Sequence, residues 1–295
     1  MTRVALVGLG EVGRTFAEDL RAAGIRDLTV WDTAFVDPAS PASINARALG
    51  IATSGSAPSA VAGAELVVSA VTAAQCVDAA LSTLPGLTVG TWFFDLNSSS
   101  PGHKAAAAAA IDATGARYVE AALMSPIGPR RLASPFLLGG PHAREFASVA
   151  ATFGVSDVTV VSDEVGRAAA TKLCRSVVVK GMEALAIESL LTARRYGVER
   201  EVLASLAETF PGLDWERQAS YFWRRVVQHG RRRAEEMREA AVTVADAGST
   251  PRMAAATADL QAWIAALAAA GVFSGTAPED GWRELADRIA RETSA

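Results

Sequence analysis

The chain is poor in the residues that build disulfide frameworks and metal centres. Its two cysteines, Cys76 and Cys174, lie far apart and in unlike contexts, which excludes a disulfide scaffold and fits a reducing cytoplasm. Three histidines, His103, His142 and His229, show no paired metal-ligand spacing, so no metal site is expected. No apolar run reaches the ~18 residues that a membrane span needs. The N-terminus enters directly into Val4–Gly8, too short for the apolar part of a signal peptide and without a small-residue cleavage site. There is no basic excess either: 28 Lys and Arg against 32 Asp and Glu leave a net charge of −4, which favours neither nucleic acid nor an anionic membrane as partner. What remains is an ordinary soluble composition, half hydrophobic and one-fifth charged, in 295 residues, a length that suits two domains.

The first informative stretch is at the start. Arg3 to Leu9 is a short β-branched run, followed by Gly8-Leu9-Gly10-Glu11-Val12-Gly13 and a helical pattern that stops at Gly24. Gly8 permits the turn, Gly10 lets backbone approach a pyrophosphate, and Gly13 allows close helix–strand packing. The helix N-terminus supplies free N–H groups to phosphate. A second strand, Leu28 to Asp32, closes the unit with a carboxylate that accepts from a ribose 2′-hydroxyl and repels a 2′-phosphate. The next residues, Thr33-Ala34-Phe35, offer no arginine for such a phosphate. NAD is the expected cofactor, with NADP as the alternative.

Strand and helix patterns then alternate. Pro38 to Pro58 reads as a Pro/Ala/Ser-rich connection with a weak strand at Gly50–Thr53. Glu65 to Thr72 is a buried-strand pattern whose final Val71-Thr72 should face the cofactor, since ligands lie beyond the carboxyl ends of parallel strands. Cys76, at the start of the next helix, reads as a small core residue. Thr91 to Asn97 is another strand, leading into Ser98-Ser99-Ser100-Pro101, where short polar side chains serve either the nicotinamide ribose or loop capping. Lys104 to Ile111 reads as a plain alanine-rich helix. Arg117 to Leu123, Phe136 to Gly140 and Asp157 to Val161 complete the sheet, with an irregular Met124–Arg131 loop between the first two.

From Gly166 to Tyr196 there is no proline, and good helix formers dominate; Gly197 stands where the helix should end. One helix of roughly 30 residues, about 45 Å, is predicted, long enough to join two bodies. The division expected is a dinucleotide-binding α/β domain over residues 1–162, the joining helix over 163–196, and an all-helical domain over 197–295. In that last part the apolar spacing predicts a helix from Val198 to Phe210, two helices flanking Gly230 (Trp215 to Gln228 and Arg231 to Ala247), a fourth from Pro251 to Ala270 and an amphipathic one from Glu279 to Arg291.

These residues together resemble the β-hydroxyacid dehydrogenase superfamily, which includes 6-phosphogluconate and 3-hydroxyisobutyrate dehydrogenases. Gly8–Gly13 is similar to its cofactor motif, Asp95–Pro101 to its second cofactor segment, and Gly166 with Lys172 to its catalytic glycine-x5-lysine segment. Glu120–Pro126 occupies the place of its substrate motif, and the tail around His229-Gly-Arg-Arg-Arg resembles a branch with a phosphogluconate-dehydrogenase-like C-terminal domain. The resemblance implies a Rossmann domain followed by an all-α domain that dimerises with its partner's tail. It also implies an NAD(P)-dependent dehydrogenase acting on a small carboxylate-bearing hydroxy acid. Methionine stands at 124 where the family has its substrate serine, which leaves Ser125 as the substrate candidate. Ser176 replaces the usual asparagine, and Val179 stands where decarboxylating members have a glutamate, so hydride transfer without decarboxylation is expected.

Lys172 would then be the general acid/base and Ser176, one helical turn on, its assistant; Lys180 points about 80° away at 100° per residue. A lysine at its ordinary pKa of about 10.4 is protonated near neutrality and must be desolvated before it can accept a proton. The cofactor candidates are Gly8, Leu9, Gly10, Glu11, Val12, Gly13, Asp32, Val71, Thr72 and Asn97. For a substrate carboxylate the candidates are Ser125, His229, Arg232 and Arg233. The bland alternative for the last group is a solvated face on which Arg231, Arg232 and Arg233 pair with Glu235, Glu236 and Glu239. Two other classes fit the same motifs: an imine reductase-like NADPH enzyme, which would generally lack Lys172 and Asp32, and a non-catalytic dinucleotide-sensing module.

Overall fold

The structure, a computed structural model, describes residues 2–277 and 280–293. It divides into two compact units, Met1–Leu173 and Cys174–Ala295.

The first unit is built on a seven-stranded sheet: β1 (Arg3–Val7), β2 (Asp27–Trp31), β3 (Leu66–Ser69), β4 (Trp92–Asp95), β5 (Arg117–Leu123), β6 (Phe136–Gly139) and β7 (Val158–Ser162), in the order β2-β1-β3-β4-β5-β6-β7. β1 to β5 are parallel; β6 runs antiparallel to β5, and β7 parallel to β6. Helices cover both faces, as a largely parallel sheet requires: α1 (Glu11–Ala22), α2 (Pro41–Leu49), α3 (Ala57–Val61), α4 (Cys76–Thr83), α5 (Pro101–Asp112), the short turn α6 (Ile127–Arg130) and α7 (Ala143–Thr152). Period-2 alternation divides the core accordingly. Leu6, Val68, Phe94, Val119 and Leu138 meet Phe16, Leu20 and Phe146 on one face. Ala5, Val67, Phe93 and Tyr118 meet Ala80, Ala107 and Ile111 on the other.

The 38–58 connection is more ordered than its composition suggests. Ser40 and Ser56 each cap a helix by accepting from the backbone three residues on, with Pro41 or Pro58 in the first turn where the missing N–H costs nothing. Gly50–Thr53 is not a strand; it contributes a single bridge, Val30 to Thr53.

Helix α8 (Arg167–Tyr196) is the long helix expected; it starts in the first unit and continues into the second. The second unit adds α9 (Glu199–Thr209), α10 (Trp215–Asp246), α11 (Arg252–Ala269) and α12 (Trp282–Thr293). The expected start of the last helix, Glu279, lies outside the described residues. Its core joins Ile187 and Leu190 of α8 to Trp223 and Val226 of α10, Ile264 of α11, and Trp282 and Ile289 of α12.

The two helices expected around Gly230 are one, α10, of 32 residues. Gly230 is a crossing point and not a break, because a Cβ there would lie 2.8 Å from the Gln261 carbonyl oxygen and 3.2 Å from Ala265 Cβ on α11. In an isolated helix Gly→Ala gains about 1 kcal/mol. Here the clash with backbone reverses the sign: Gly230→Ala should destabilise the protein by about 1–3 kcal/mol. A thermal melt checks this, and an unchanged or higher melting temperature would contradict the crossing.

Candidate active site

The carboxyl ends of β1 to β5 carry most of the sequence candidates of the first unit. Gly10 precedes α1 with no side-chain cap on the helix N-terminus and open space where its Cβ would be. Gly13 packs so closely that a Cβ would meet the Gly8 carbonyl oxygen at 2.1 Å. Uncapped N–H groups beside an open backbone fit a pyrophosphate. Glu11 is exposed and Val12 half-buried beside them, whereas the Leu9 side chain is buried in the core and leaves only its backbone at the turn. That backbone is held on both sides: Leu9 N–H donates to Asp32 Oδ2 at 2.8 Å, and Asn45 Nδ2 donates to the Leu9 carbonyl at 2.9 Å. Asp32 Oδ1 accepts from Ala34 N–H at 2.9 Å. Asp32 therefore shapes the glycine turn as well as ending β2, and an ionised carboxylate with about four lone-pair sites retains two for a ribose hydroxyl.

Beyond β3, half-buried Val71 donates its N–H to Asn97 Oδ1 at 2.7 Å, and Asn97 Nδ2 donates to Ser69 Oγ at 2.9 Å. Asn97 thus ties the β4 edge to the β3 edge; Thr72 beside it is exposed. Next after Asn97 comes Ser98, whose Oγ accepts from Lys172 Nζ at 2.5 Å. Lys172 is half-buried in the first turns of α8, and its amine reaches the cofactor edge of the sheet.

Beneath this contact runs a row of residues in register across neighbouring strands: Val7, Ser69, Asp95, Glu120 and Gly139. Its polar members are all buried. Asp95 Oδ1 accepts from Asn97 N–H and pairs with Lys104 Nζ, both at 2.9 Å, and Asp95 Oδ2 accepts from Tyr118 Oη at 2.6 Å and from Cys76 Sγ at 3.3 Å. Glu120 accepts from Gly166 N–H with Oε2 and from Ala169 N–H with Oε1, both at 2.6 Å. A Cβ on Gly139 would stand 2.5 Å from Glu120 Oε2, so the glycine makes room for that carboxylate.

Electrostatics follow the burial. Desolvation pushes the Glu120 carboxyl up, held back by Lys104 and the two amides. Burial works against the Lys104 ammonium, yet Asp95 first and Glu120 after it favour the charge, and its net shift is upward. Burial and then Asp95 push Tyr118 upward and the Cys76 thiol up to about 12. The alanine-rich run is the helix expected, α5, but Lys104 within it is 1% exposed and paired.

The second unit holds the remaining candidates. Ser176 is buried, one turn beyond Lys172 on α8. Arg233 lies on no solvated face: it is buried and pairs with Glu183 of α8, not with Glu239. Arg232 does pair with Glu236 at 2.6 Å, and buried Lys180 reaches the same carboxylate. Desolvation holds Lys180 below the usual lysine range, partly offset by Glu236. Both arginines thus have carboxylate partners within the chain, and His229 is half-buried nearby on α10. Ser125, in the loop after β5, is half-buried and donates to the Pro126 carbonyl at 3.3 Å. Among the described residues no cluster of His, Cys, Asp or Glu is placed to hold a metal, and no helix is long and apolar enough to cross a membrane.

Residues 3–153, just over half of the chain, match the model of the NAD binding domain of 6-phosphogluconate dehydrogenase. The chain belongs to that family. The glycine turn and the Asp32 contact are thus parts of an NAD(P)-binding domain. Residues 193–264 match a domain of unknown function, DUF1932. Among solved structures, a conserved hypothetical protein from Sinorhizobium meliloti 1021 is 37% identical, with 99% of this chain and 96% of that one covered at a TM-score of 0.74. The conserved protein MTH1747, of unknown function and described as structurally similar to 3-hydroxyacid dehydrogenases, is 28% identical, with 90% and 99% covered at 0.65. The 3-hydroxyisobutyrate dehydrogenase of Mycobacterium tuberculosis, solved with L-serine, shares the fold at 21% identity, with 90% and 94% covered at 0.70. No curated protein matches.

The NAD(P)-binding unit of this chain keeps its one cysteine out of reach. Cys76 is buried and its thiol stays protonated below about pH 12, whereas Cys174 is exposed. Titration of the native protein with a thiol reagent near pH 8 should count one reactive cysteine, rising to two on denaturation; prompt reaction of Cys76 in the native state would contradict the buried Asp95 cluster.

Proposed function

We propose that the protein is an NAD-dependent oxidoreductase that interconverts the alcohol and carbonyl forms of a small β-hydroxy acid without decarboxylation. The observation that carries this reading is the Lys172 amine on Ser98 Oγ, at the same sheet edge as the glycine turn. The bound nicotinamide would take up or supply the hydride. In this reading the chain's own groups do the rest. Lys172 Nζ accepts the proton of the substrate hydroxyl as the alcohol is oxidised and returns it to the carbonyl oxygen in reduction. Ser98 holds the amine at the cofactor edge until substrate displaces or shares that contact. Ser176 steadies the substrate oxygen from the next turn of α8, and Ser125 is the candidate for its carboxylate. Retention of both Lys172 and Asp32 favours this over an imine reductase or a non-catalytic module.

A panel of β-hydroxy acids, read by appearance of the reduced cofactor, should give turnover with NAD in preference to NADP. Lys172→Ala should lower kcat by roughly 10²–10⁴-fold while leaving the NAD Kd within about twofold; unaltered turnover would remove the acid/base role. Because Asp32 also holds the glycine turn, Asp32→Asn is the gentler probe of cofactor choice. The NAD preference should narrow in that variant, and an unchanged ratio sinks the ribose argument.

The same reading makes the protein a homodimer. Val178, Met182 and Leu185 recur at spacings of four and three on α8 and are exposed, a pattern that suits burial against a second copy. Sedimentation equilibrium should give twice the chain mass at assay concentration; a monomer there removes this part of the proposal.

A further inference from the structure

A helix begins with N–H groups that no turn of its own can satisfy, and they are usually met by a side chain at the N-cap. In a local capping box, the N-cap side chain takes the N–H three residues on while that residue's side chain returns to the N-cap N–H. α8 starts after Gly166, which has no side chain, and its third residue is Ala169, whose methyl group cannot accept. Both halves of the box are absent from the local sequence. Glu120 supplies them from β5, one oxygen to each of those two N–H groups. Three residues past Ala169 stands Lys172.

The opposite side of the Lys172–Ser98 contact is anchored by the neighbouring member of the row. Asp95 is the register partner of Glu120 and holds the backbone of Asn97, the residue before Ser98. Lys104 pairs directly with Asp95 and its charge also acts on Glu120. Two buried carboxylates on adjacent strands therefore fix the two partners of one contact.

We propose that Glu120 is a positioning residue for Lys172: its carboxylate replaces the missing cap of α8 and sets the helix start so that the lysine amine meets Ser98, with Lys104 keeping Glu120 and Asp95 together. Its bearing on catalysis rests on the reading of Lys172 as acid/base; the geometric assignment does not. Gly139, which leaves space for the carboxylate, belongs to the same device.

The chain has only three lysines, and Lys104 and Lys180 are buried, so reductive ¹³C-methylation of the folded protein labels Lys172 and the N-terminal amine, and the Lys172 signal is the one that disappears in Lys172→Arg. In Glu120→Gln, which keeps the volume but turns an NH₂ toward one of the two donors, the dimethyl-Lys172 resonance should move and its titration midpoint shift. Amide exchange over residues 166–173 should quicken at least ~10-fold, since those bonds close the first turn. If the hydroxy-acid activity holds, kcat should fall roughly 10–100-fold at unchanged NAD Kd, and Glu120→Asp should recover part of it. Leu138→Ala, a core truncation on β6 facing the other side of the sheet, should lower the melting temperature without moving the resonance. An unmoved resonance and unaltered exchange in Glu120→Gln overturn the proposal. If that variant does not fold, Gly139→Ala displaces the same oxygen and is judged by the same two signals. A moved resonance in Glu120→Gln with Lys172→Ala still fully active would leave the positioning intact and remove the acid/base reading alone.

Discussion

Two carboxylates buried side by side on adjacent strands are the constraint to which the strand-end edge of the first unit is built. Asp95 and Glu120 are register partners, so their backbones stand one strand spacing apart, ~4.8 Å. Burial disfavours the charged form of Glu120 most, and the neighbouring Asp95 adds to that in the same direction. A sheet tolerates this only if each carboxylate is matched. Asp95 is matched by Lys104, the Tyr118 hydroxyl and the Asn97 amide. Glu120 is matched by the N-terminal amides of α8, whose aligned peptide dipoles place partial positive charge there. The same bonds that make the row tolerable fix the β4–α5 turn and the start of α8.

Lysine is ordinarily a surface residue. This chain has three among 28 basic residues, and none is ordinary: Lys104 and Lys180 are buried and ion-paired, and Lys172 is half-buried on a serine hydroxyl. Arginine carries nearly all of the surface positive charge. In the second unit the pairs of Lys180 with Glu236 and of Arg233 with Glu183 join α8 to α10 at two successive levels. Buried ion pairs contribute little net stability against an apolar alternative, but they penalise any sliding of one helix along the other. Arg232 shares the Glu236 carboxylate with Lys180, so both arginine substrate candidates on this helix already have an acidic partner within the chain.

The sequence disclosed what depends on near neighbours. The glycine turn, the strand carrying Asp32, the alternation along the sheet and the extent of α8 all follow from spacing and propensity over a few residues. Lys172 as a candidate came from its distance to Gly166 and from family resemblance. The parts that stayed hidden are long-range. Glu120 lies 46 residues before the Gly166 amide that it accepts from, and no local pattern links them. Lys104 sits in an alanine run, and only the fold brings Asp95 to its amine. Gly230 read as a helix break because its reason for being glycine is the Gln261 carbonyl on another helix. A clue did exist in composition: with so few lysines and so many arginines, a lysine inside an apolar stretch was worth asking about each time it occurred.

The continuity of α8 links the backbone positions of Lys172 and Ser176. Lys172 is the last residue but one of the first unit, and Ser176 belongs to the second. Four residues on an unbroken helix are 400° of rotation and about 6 Å of rise, so the two side chains stay within about 40° of each other for as long as the turn between them holds its hydrogen bonds. The amine takes its register from Glu120 and Ser98, and the buried serine follows it through the helix backbone. A proline or a bulge within that single turn would uncouple them while leaving both environments intact. The absence of proline and glycine between Gly166 and Gly181 is therefore a requirement of any mechanism that uses both residues, and not merely a matter of helix propensity.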